Sequence, residues 1–350
     1  MRLSLFSIVV LGGLFFSSAQ EKSPNIILMI GDGTGLAQIT AGMYANGNTT
    51  HLESFSVIGL AKTHSSNALV TDSAASGTAM ACGVKTMNGV IGIGMDNAHK
   101  ASILEISKKK GYSTGLIATS SIVHATPASF YANVVSRKQY EDIALQMSTS
   151  DVDFFIGGGK KHFNQRKDRR NLLDEMKDWR FTSSLKAFDE STKPHVGYFT
   201  NNDEPVRITE GRRPSLDDGI NSMFKKLTAN NSPFFLMVEG SQIDWGGHAN
   251  DLRYITTEFK DFDAAIGEAV AFAKANPNTL LIVTADHETG GLGISSGSVK
   301  NFRPKGGFVT GGHTASMVPV FAMGPGAENF AGIYENTAIF EKMLAVLSKD

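Results

Sequence analysis

Residues 25–31 read NIILMIG and are followed by Asp32 and Gly33. This almost unbroken apolar run, ended by a glycine and an acid, is typical of a strand buried on both faces of a sheet. The same pattern recurs at 56–63, 113–120, 233–240, 278–286 and 318–326, and helical patterns lie between, as at 101–110 and 251–274. Strands that alternate with helices predict an α/β fold: a three-layer sandwich with a large, mostly parallel central sheet and helices on both faces.

The length and composition suffice for one large α/β domain or for two small ones. The chain has 350 residues, 41% hydrophobic and 19% charged, with a net charge of −1, which gives no reason to expect nucleic-acid or membrane-surface binding. We expect a single domain over 20–350. The charged stretch at about 159–215 shows few strand signals, and we interpret it as a peripheral helical or loop insertion on that domain, since it lacks the apolar residues for a core of its own.

The first 19 residues have the pattern of a signal peptide. One basic residue precedes an apolar run, and small residues at Ser17 and Ala19 suit cleavage before Gln20. A retained anchor is the alternative, although the run is short for a spanning helix. Cleavage predicts an exported protein, periplasmic or secreted and without a membrane anchor. Cys82 is the only cysteine, so no intramolecular disulfide can form, and we expect it to be buried and inert.

Polar residues follow the predicted strands at the end where ligands bind in open α/β sheets. They are Asp32, Ser73, His124, Thr126, Glu239, Asp244, His248, Asp286, His287 and, just before the last strand, His313. Each also has an ordinary alternative: Asp32 and Thr126 suit turns, Asp286 to Glu288 suit a helix cap, and Asp244 with His248 suit an ion pair. Taken together, three histidines and several carboxylates favour zinc, and a cluster of oxygen ligands favours magnesium.

Residues 70–80 read VTDSAASGTAM and allow two interpretations. Asp72 or Ser73 is a good N-cap for a helix of small residues that packs closely. Alternatively, Ser73 is a nucleophile at a helix N-terminus, where backbone N–H groups and the helix dipole favour an anion.

Five motifs give the chain a close resemblance to the alkaline phosphatase family. The agreement runs from GDG at 31–33 to GPG at 324–326, and the motifs are VTDSAASGTA, HATPASF followed by SRKQY, VEGSQIDWGGHAN, TADHETGG and GGHTAS. The resemblance is to a short bacterial form. It implies a homodimer that hydrolyses small phosphomonoesters non-specifically through a phosphoserine at Ser73.

The resemblance also implies two zinc ions and one magnesium ion per subunit. Asp244, His248 and His313 would hold the first zinc, and Asp32, Asp286 and His287 the second. Asp32, Thr126 and Glu239 would hold magnesium. Arg137, oriented by Asp72, would grip the phosphate.

Two positions depart from some bacterial members of that family. His124 stands where they have aspartate, and Trp245 stands where they have lysine. The exchange predicts weaker retention of phosphate and altered magnesium affinity, with His124 as a possible metal contact. Two other functions fit the sequence less well. Ser73 and the third metal set disfavour a sulfatase or phosphodiesterase on the same scaffold, and the complete ligand set disfavours a non-catalytic binding protein.

Overall fold

The computed structural model describes residues 23–347, so the predicted signal peptide lies outside the described residues. Fourteen strands are present in this range: β1 (Asn25–Gly31), β2 (Val57–Lys62), β3 (Ser113–Ser121), β4 (Phe154–Gly158), β5 (Trp179–Thr182), β6 (His195–Phe199), β7 (Phe234–Gly240), β8 (Thr279–Thr284), β9 (Glu288–Thr289), β10 (Gly293–Ser298), β11 (Arg303–Gly307), β12 (His313–Thr314), β13 (Val318–Met323) and β14 (Gly332–Glu335). Every strand expected from its apolar run is confirmed to within a few residues.

Twelve α-helices accompany them: α1 (Leu36–Ala45), α2 (Ser73–Cys82), α3 (Ile103–Lys109), α4 (Ala125–Ala128), α5 (Tyr140–Met147), α6 (Lys161–Asn164), α7 (Leu172–Glu175), α8 (Leu185–Glu190), α9 (Leu216–Thr228), α10 (Gln242–His248), α11 (Leu252–Ala275) and α12 (Thr337–Leu347). Short 3₁₀ turns occupy His51–Ser54, Ile208–Glu210 and Ala327–Phe330. Within residues 23–347, none of the helices combines the length and the apolar character that crossing a membrane requires.

Ten of the strands form one central sheet in the order β14-β2-β13-β8-β1-β7-β3-β4-β6-β5. All neighbours in it run parallel except β13, which is antiparallel to β2 and to β8. β10 and β11 pair as a separate antiparallel hairpin, and β9 pairs with β12. The predicted fold class is therefore confirmed.

The sheet has a hydrophobic core on each face. Successive residues of β1 alternate between them: Ile26 and Leu28 join a core with residues of α2, α3, α5 and α12, whereas Ile27 and Met29 join one with residues of α1, α9 and α11. This division follows from the two-residue repeat of a strand, and it explains why β1 is apolar at nearly every position.

The prediction that residues 159–215 form a helical or loop insertion is only partly right. The stretch is not only helical or loop-like, because β5 and β6 lie within it and extend the central sheet at one edge by parallel pairing. These strands have only four and five residues, and aromatic contacts hold them. Trp179 stacks on Phe181 at 5.8 Å, and Phe181 stacks on Phe199 at 5.6 Å. Such packing depends on neighbours distant in the chain, so the local pattern did not reveal it.

Candidate active site

Helix α2 presents the candidate nucleophile. Asp72 is its N-cap and accepts a hydrogen bond from the Ala75 N–H at 3.0 Å, while Ser73 is the first helical residue and is buried. Ser73 Oγ lies 3.3 Å from His287 Nε2 and 3.5 Å from Asp32 Oδ2. The cap and the nucleophile interpretations are thus compatible, because Asp72 takes the first role and leaves Ser73 free for the second.

Three predicted ligands converge beside this serine. His287 Nε2 lies 3.1 Å from Asp286 Oδ2 and 3.6 Å from Asp32 Oδ1. Asp32 follows β1 and Asp286 follows β8, which is the neighbour of β1 in the sheet. All three side chains are fully buried. The carboxyl ends of adjacent parallel strands therefore deliver the set predicted for the second zinc.

The set predicted for the first zinc also assembles. Asp244 and His248 face each other across one turn of α10, with Oδ2 and Nε2 3.4 Å apart, and His313 Nε2 from β12 lies 3.6 Å from Asp244 Oδ1. The Nε2 atoms of His248 and His313 are only 3.1 Å apart. The rings of His313 and His287 stack at 3.6 Å, so the two sets are contiguous.

The histidine hydrogen bonds show what this cluster can bind. His248 Nδ1 lies 2.7 Å from the Gly311 carbonyl, and His313 Nδ1 lies 2.8 Å from the Thr71 carbonyl. Because a carbonyl oxygen only accepts, each Nδ1 carries a proton, so that with both rings neutral the two Nε2 lone pairs point at each other. Two such lone pairs and a carboxylate are mutually repulsive unless a cation lies between them. Asp244, His248 and His313 therefore fit a metal ion such as zinc.

A third group lies at the ends of β3 and β7. Atoms of Asp32, His124 and Glu239 approach closely enough to share an ion. Within residues 23–347, Asp32 Oδ1, Glu239 Oε1 and Thr126 Oγ1 are buried without a hydrogen-bond partner, and so is His124 Nδ1. Buried polar atoms without partners are costly, so this group also fits a cation.

The electrostatics of the cluster agree with that fit. Burial, followed by the charges of Asp286, Asp244 and Glu239, raises the pKa of Asp32 well above its usual range. Burial, together with Asp286, raises the pKa of Glu239 to about 7. Carboxylates are crowded here without enough positive charge on the protein to balance them, which is the condition a bound metal relieves.

Arg137 approaches from the loop before α5. Its Nη1 donates to Asp72 Oδ2 at 3.1 Å, and its Nη2 lies 3.4 Å from His124 Nε2. Burial and the Arg137 charge lower the pKa of His124 to about 3, so the imidazole is neutral. Its ring meets Trp245 edge-on at 6.4 Å. All thirteen predicted site residues thus gather at one edge of the sheet.

The comparisons with known proteins agree with this geometry. The family model described as alkaline phosphatase matches residues 23–305 and 294–349. Alkaline phosphatase 3 of Bacillus subtilis is 33% identical over 98% of this chain and 94% of its own length. The chain belongs to the alkaline phosphatase family. Hydrolysis of phosphate monoesters, the reaction of this family, is therefore its activity.

Further relatives support the assignment. Alkaline phosphatase of Escherichia coli K12 is 30% identical over 95% of this chain and 87% of its own length. The structure of alkaline phosphatase from the Antarctic bacterium TAB5 is 44% identical, with a TM-score of 0.89 over 94% of this chain and 99% of that one. A histidine-to-aspartate variant of the TAB5 enzyme has been solved with magnesium in its M3 site. Metal cofactors thus belong to this chain's chemistry.

Two residues that contact the candidate site were not predicted from the sequence. Glu288 and Thr289 form β9 rather than capping a helix, because Gly290 and Gly291, at φ of +94° and +58°, turn the chain away. Thr289 contacts both Asp244 and His287, and Glu288 accepts a hydrogen bond from the residue after His313. Their position directly after the two ligands in TADHETGG was the available signal.

Proposed function

We propose that this chain hydrolyses phosphate monoesters through a phosphoserine at Ser73, with two zinc ions and a third cation. The observation that supports it most is the convergence of His248 Nε2, His313 Nε2 and the Asp244 carboxylate, 3.1 to 3.6 Å apart. These groups are all acceptors and need a cation between them. We assign the first zinc to this set and the second to Asp32, Asp286 and His287.

Ser73 is positioned to act as the nucleophile towards phosphorus. Its Oγ lies among ligands of the second zinc, and it begins a ten-residue helix whose N-terminal N–H groups favour an approaching phosphate. A zinc ion held by these residues would favour loss of the Ser73 proton and would offset the charge on the leaving oxygen. The Ser73 oxygen then forms the bond to phosphorus as the alcohol leaves, and water hydrolyses the phosphoserine in the second step.

Arg137 is positioned to bind the phosphate. Its Nη1 is held by Asp72, so the guanidinium is oriented before substrate arrives. The planar guanidinium can make two parallel hydrogen bonds to phosphate oxygens, which an ammonium cannot. The remaining neighbours, His124 and Trp245, are uncharged. We infer that the released phosphate is held by fewer charges than in relatives with lysine in place of Trp245.

The third site differs from an all-oxygen site. Asp32, Glu239 and Thr126 offer oxygen atoms suited to magnesium, but His124 adds a nitrogen. In the TAB5 enzyme, variants with aspartate or glutamate in place of a histidine hold magnesium in the M3 site. By the same chemistry, we infer that His124 weakens the preference of this site for magnesium over softer cations.

We also propose that the chain is exported and forms a homodimer. Export is supported by the composition of residues 1–19, with its apolar run and small residues before Gln20. Dimerisation is supported by the family resemblance. Mass determination of the secreted protein tests both proposals, since it gives the first residue of the mature chain and the number of chains in the particle.

The proposed metal chemistry is tested by removing and restoring the ions. The purified protein is treated with EDTA, dialysed, and assayed with p-nitrophenyl phosphate at alkaline pH. We expect activity to disappear and to return on addition of zinc, with magnesium adding a smaller increase. Full activity after thorough removal of metal would contradict the proposal. A phosphodiester assayed in parallel shows whether the monoester is the preferred substrate.

A further inference from the structure

Thr289 lies between the two proposed zinc sets. It is fully buried in β9, two residues after His287. Its Oγ1 is 2.5 Å from Asp244 Oδ1 and 3.2 Å from His287 Nδ1. A single hydroxyl thus contacts one ligand of the first proposed zinc and one ligand of the second.

The direction of these two hydrogen bonds follows from their chemistry. The ionised carboxylate of Asp244 can only accept, so the Thr289 hydroxyl donates its proton to it. The hydroxyl oxygen is then left as an acceptor towards His287, which means that His287 Nδ1 carries a proton. In the neutral ring, Nε2 consequently has a free lone pair. That atom faces Ser73 Oγ, Asp32 and Asp286.

The surroundings hold Thr289 in this position. Its N–H donates to the Gly33 carbonyl at 3.2 Å, and its own carbonyl accepts from Gln38 Nε2 at 2.7 Å. A Cβ added at Gly247 would lie 2.8 Å from the Thr289 methyl, and one added at Gly33 would lie 2.8 Å from its hydroxyl. The backbone is fixed and the side chain is enclosed, so the hydroxyl keeps its two partners.

We propose that Thr289 is a positioning residue that fixes the metal-binding tautomer of His287 and joins the two zinc sites through one hydroxyl. The proposal rests on the zinc sites of the proposed function. Partners behind a ligating histidine set its tautomer and orientation, and their loss typically costs about 10- to 100-fold in metal affinity. Because this hydroxyl has a partner in each set, its removal weakens both sites.

The test compares Thr289→Val, which keeps the shape and loses the hydroxyl, with Thr289→Ser, which keeps the hydroxyl. Thr50→Val is a matched control, because the Thr50 hydroxyl is also buried and donates to a carboxylate, Asp263 Oδ1, at 2.5 Å. Each metal-free protein is titrated with zinc against a chromophoric chelator, and with cobalt to follow absorption at each site. Circular dichroism verifies folding.

We expect Thr289→Val to bind both zinc ions about 10- to 100-fold more weakly. Thr289→Ser and Thr50→Val should bind them as the unchanged chain does. Unaltered binding by Thr289→Val, weakening at one site only, or equal weakening by Thr289→Ser would overturn the proposal. If the unchanged chain binds no zinc, the proposed function itself fails.

A second measurement uses the unchanged chain and needs no folded variant. Nitrogen NMR of the histidine-labelled, zinc-loaded protein reports which ring nitrogen of His287 carries a proton and which one binds the metal. The proposal predicts a protonated Nδ1 and a metal-bound Nε2. A metal-bound Nδ1 would overturn it.

Discussion

Replacing Glu288 by alanine removes a buried carboxylate that accepts four hydrogen bonds from three segments of the chain. Oε1 accepts from Gln38 Nε2 at 2.6 Å and from the Leu292 N–H at 3.2 Å. Oε2 accepts from the Gly291 N–H at 3.2 Å and from the Thr314 hydroxyl. Glu288 therefore ties α1 and the turn after β9 to the strand that carries His313.

The expected loss can be worked out from the donors left behind. Thr314 is half-exposed and can turn to water, which leaves one N–H of the Gln38 amide and two backbone N–H groups without acceptors, since the other Gln38 N–H donates to the Thr289 carbonyl. At about 1 kcal/mol for each such donor, Glu288→Ala should lower the free energy of unfolding by about 3 kcal/mol. The glutamine of Glu288→Gln can orient its oxygen to keep the Oε1 partners, which places its NH2 group where Oε2 was. The Thr314 hydroxyl can then accept a hydrogen bond from this NH2 group instead of donating one. Only the Gly291 N–H then faces another donor, the glutamine NH2 group, which should lower the free energy of unfolding by about 1 kcal/mol.

Urea unfolding of the metal-free proteins measures both values without a contribution from bound ions. Glu328→Ala is the control, because Glu328 is exposed and its loss should change stability by less than about 0.5 kcal/mol. A Glu288→Ala protein as stable as this control would refute the reasoning. Equal losses for Glu288→Ala and Glu288→Gln would refute the assignment of partners.

Three further predictions follow from other parts of the structure. Trp245→Lys adds a cation near the proposed phosphate site, and one additional charge-assisted contact should tighten inhibition by inorganic phosphate about tenfold. Unchanged phosphate inhibition in the p-nitrophenyl phosphate assay would count against this prediction. Burial raises the pKa of the Cys82 thiol to about 12, so a thiol reagent at pH 8 should label this residue only after denaturation. Rapid labelling of the native chain would exclude the buried geometry. In the unchanged chain, the carboxylates of Glu258 and Asp261 lie 2.7 and 2.8 Å from the same guanidinium nitrogen of Arg212. Arg212→Met leaves both carboxylates buried without this cation and should lower the free energy of unfolding by about 3–5 kcal/mol. Denaturant unfolding would detect this loss.

The sequence was sufficient for the strands whose pattern is set by burial. β1 and β8 lie in the middle of the sheet with a core on each face, so they are apolar at nearly every position. The rule that ligands gather at the carboxyl ends of parallel strands then predicted that Asp32 and Asp286 lie at the same edge of the sheet. His313 was harder, since it reaches the site from the two-residue strand β12 that pairs with β9.

Other features depend on contacts that no local pattern encodes. β5 joins the sheet because Trp179 and Phe181 stack on each other and against neighbouring aromatic rings, not because its four residues read as a strand. The role proposed for Thr289 depends on the position of β9 next to α10, which brings Asp244 within reach. Both cases show tertiary packing deciding what a short segment does.

The central claim is that Ser73 carries the phosphoryl group during turnover, and trapping that intermediate tests it most directly. The metal-loaded enzyme is mixed with a phosphomonoester, quenched with acid during turnover, digested and examined by mass spectrometry. The account predicts phosphate on the peptide that contains Ser73, and none in Ser73→Ala, whose kcat should fall about a thousandfold or more. Phosphate on another residue, or near-normal turnover by Ser73→Ala, would contradict it.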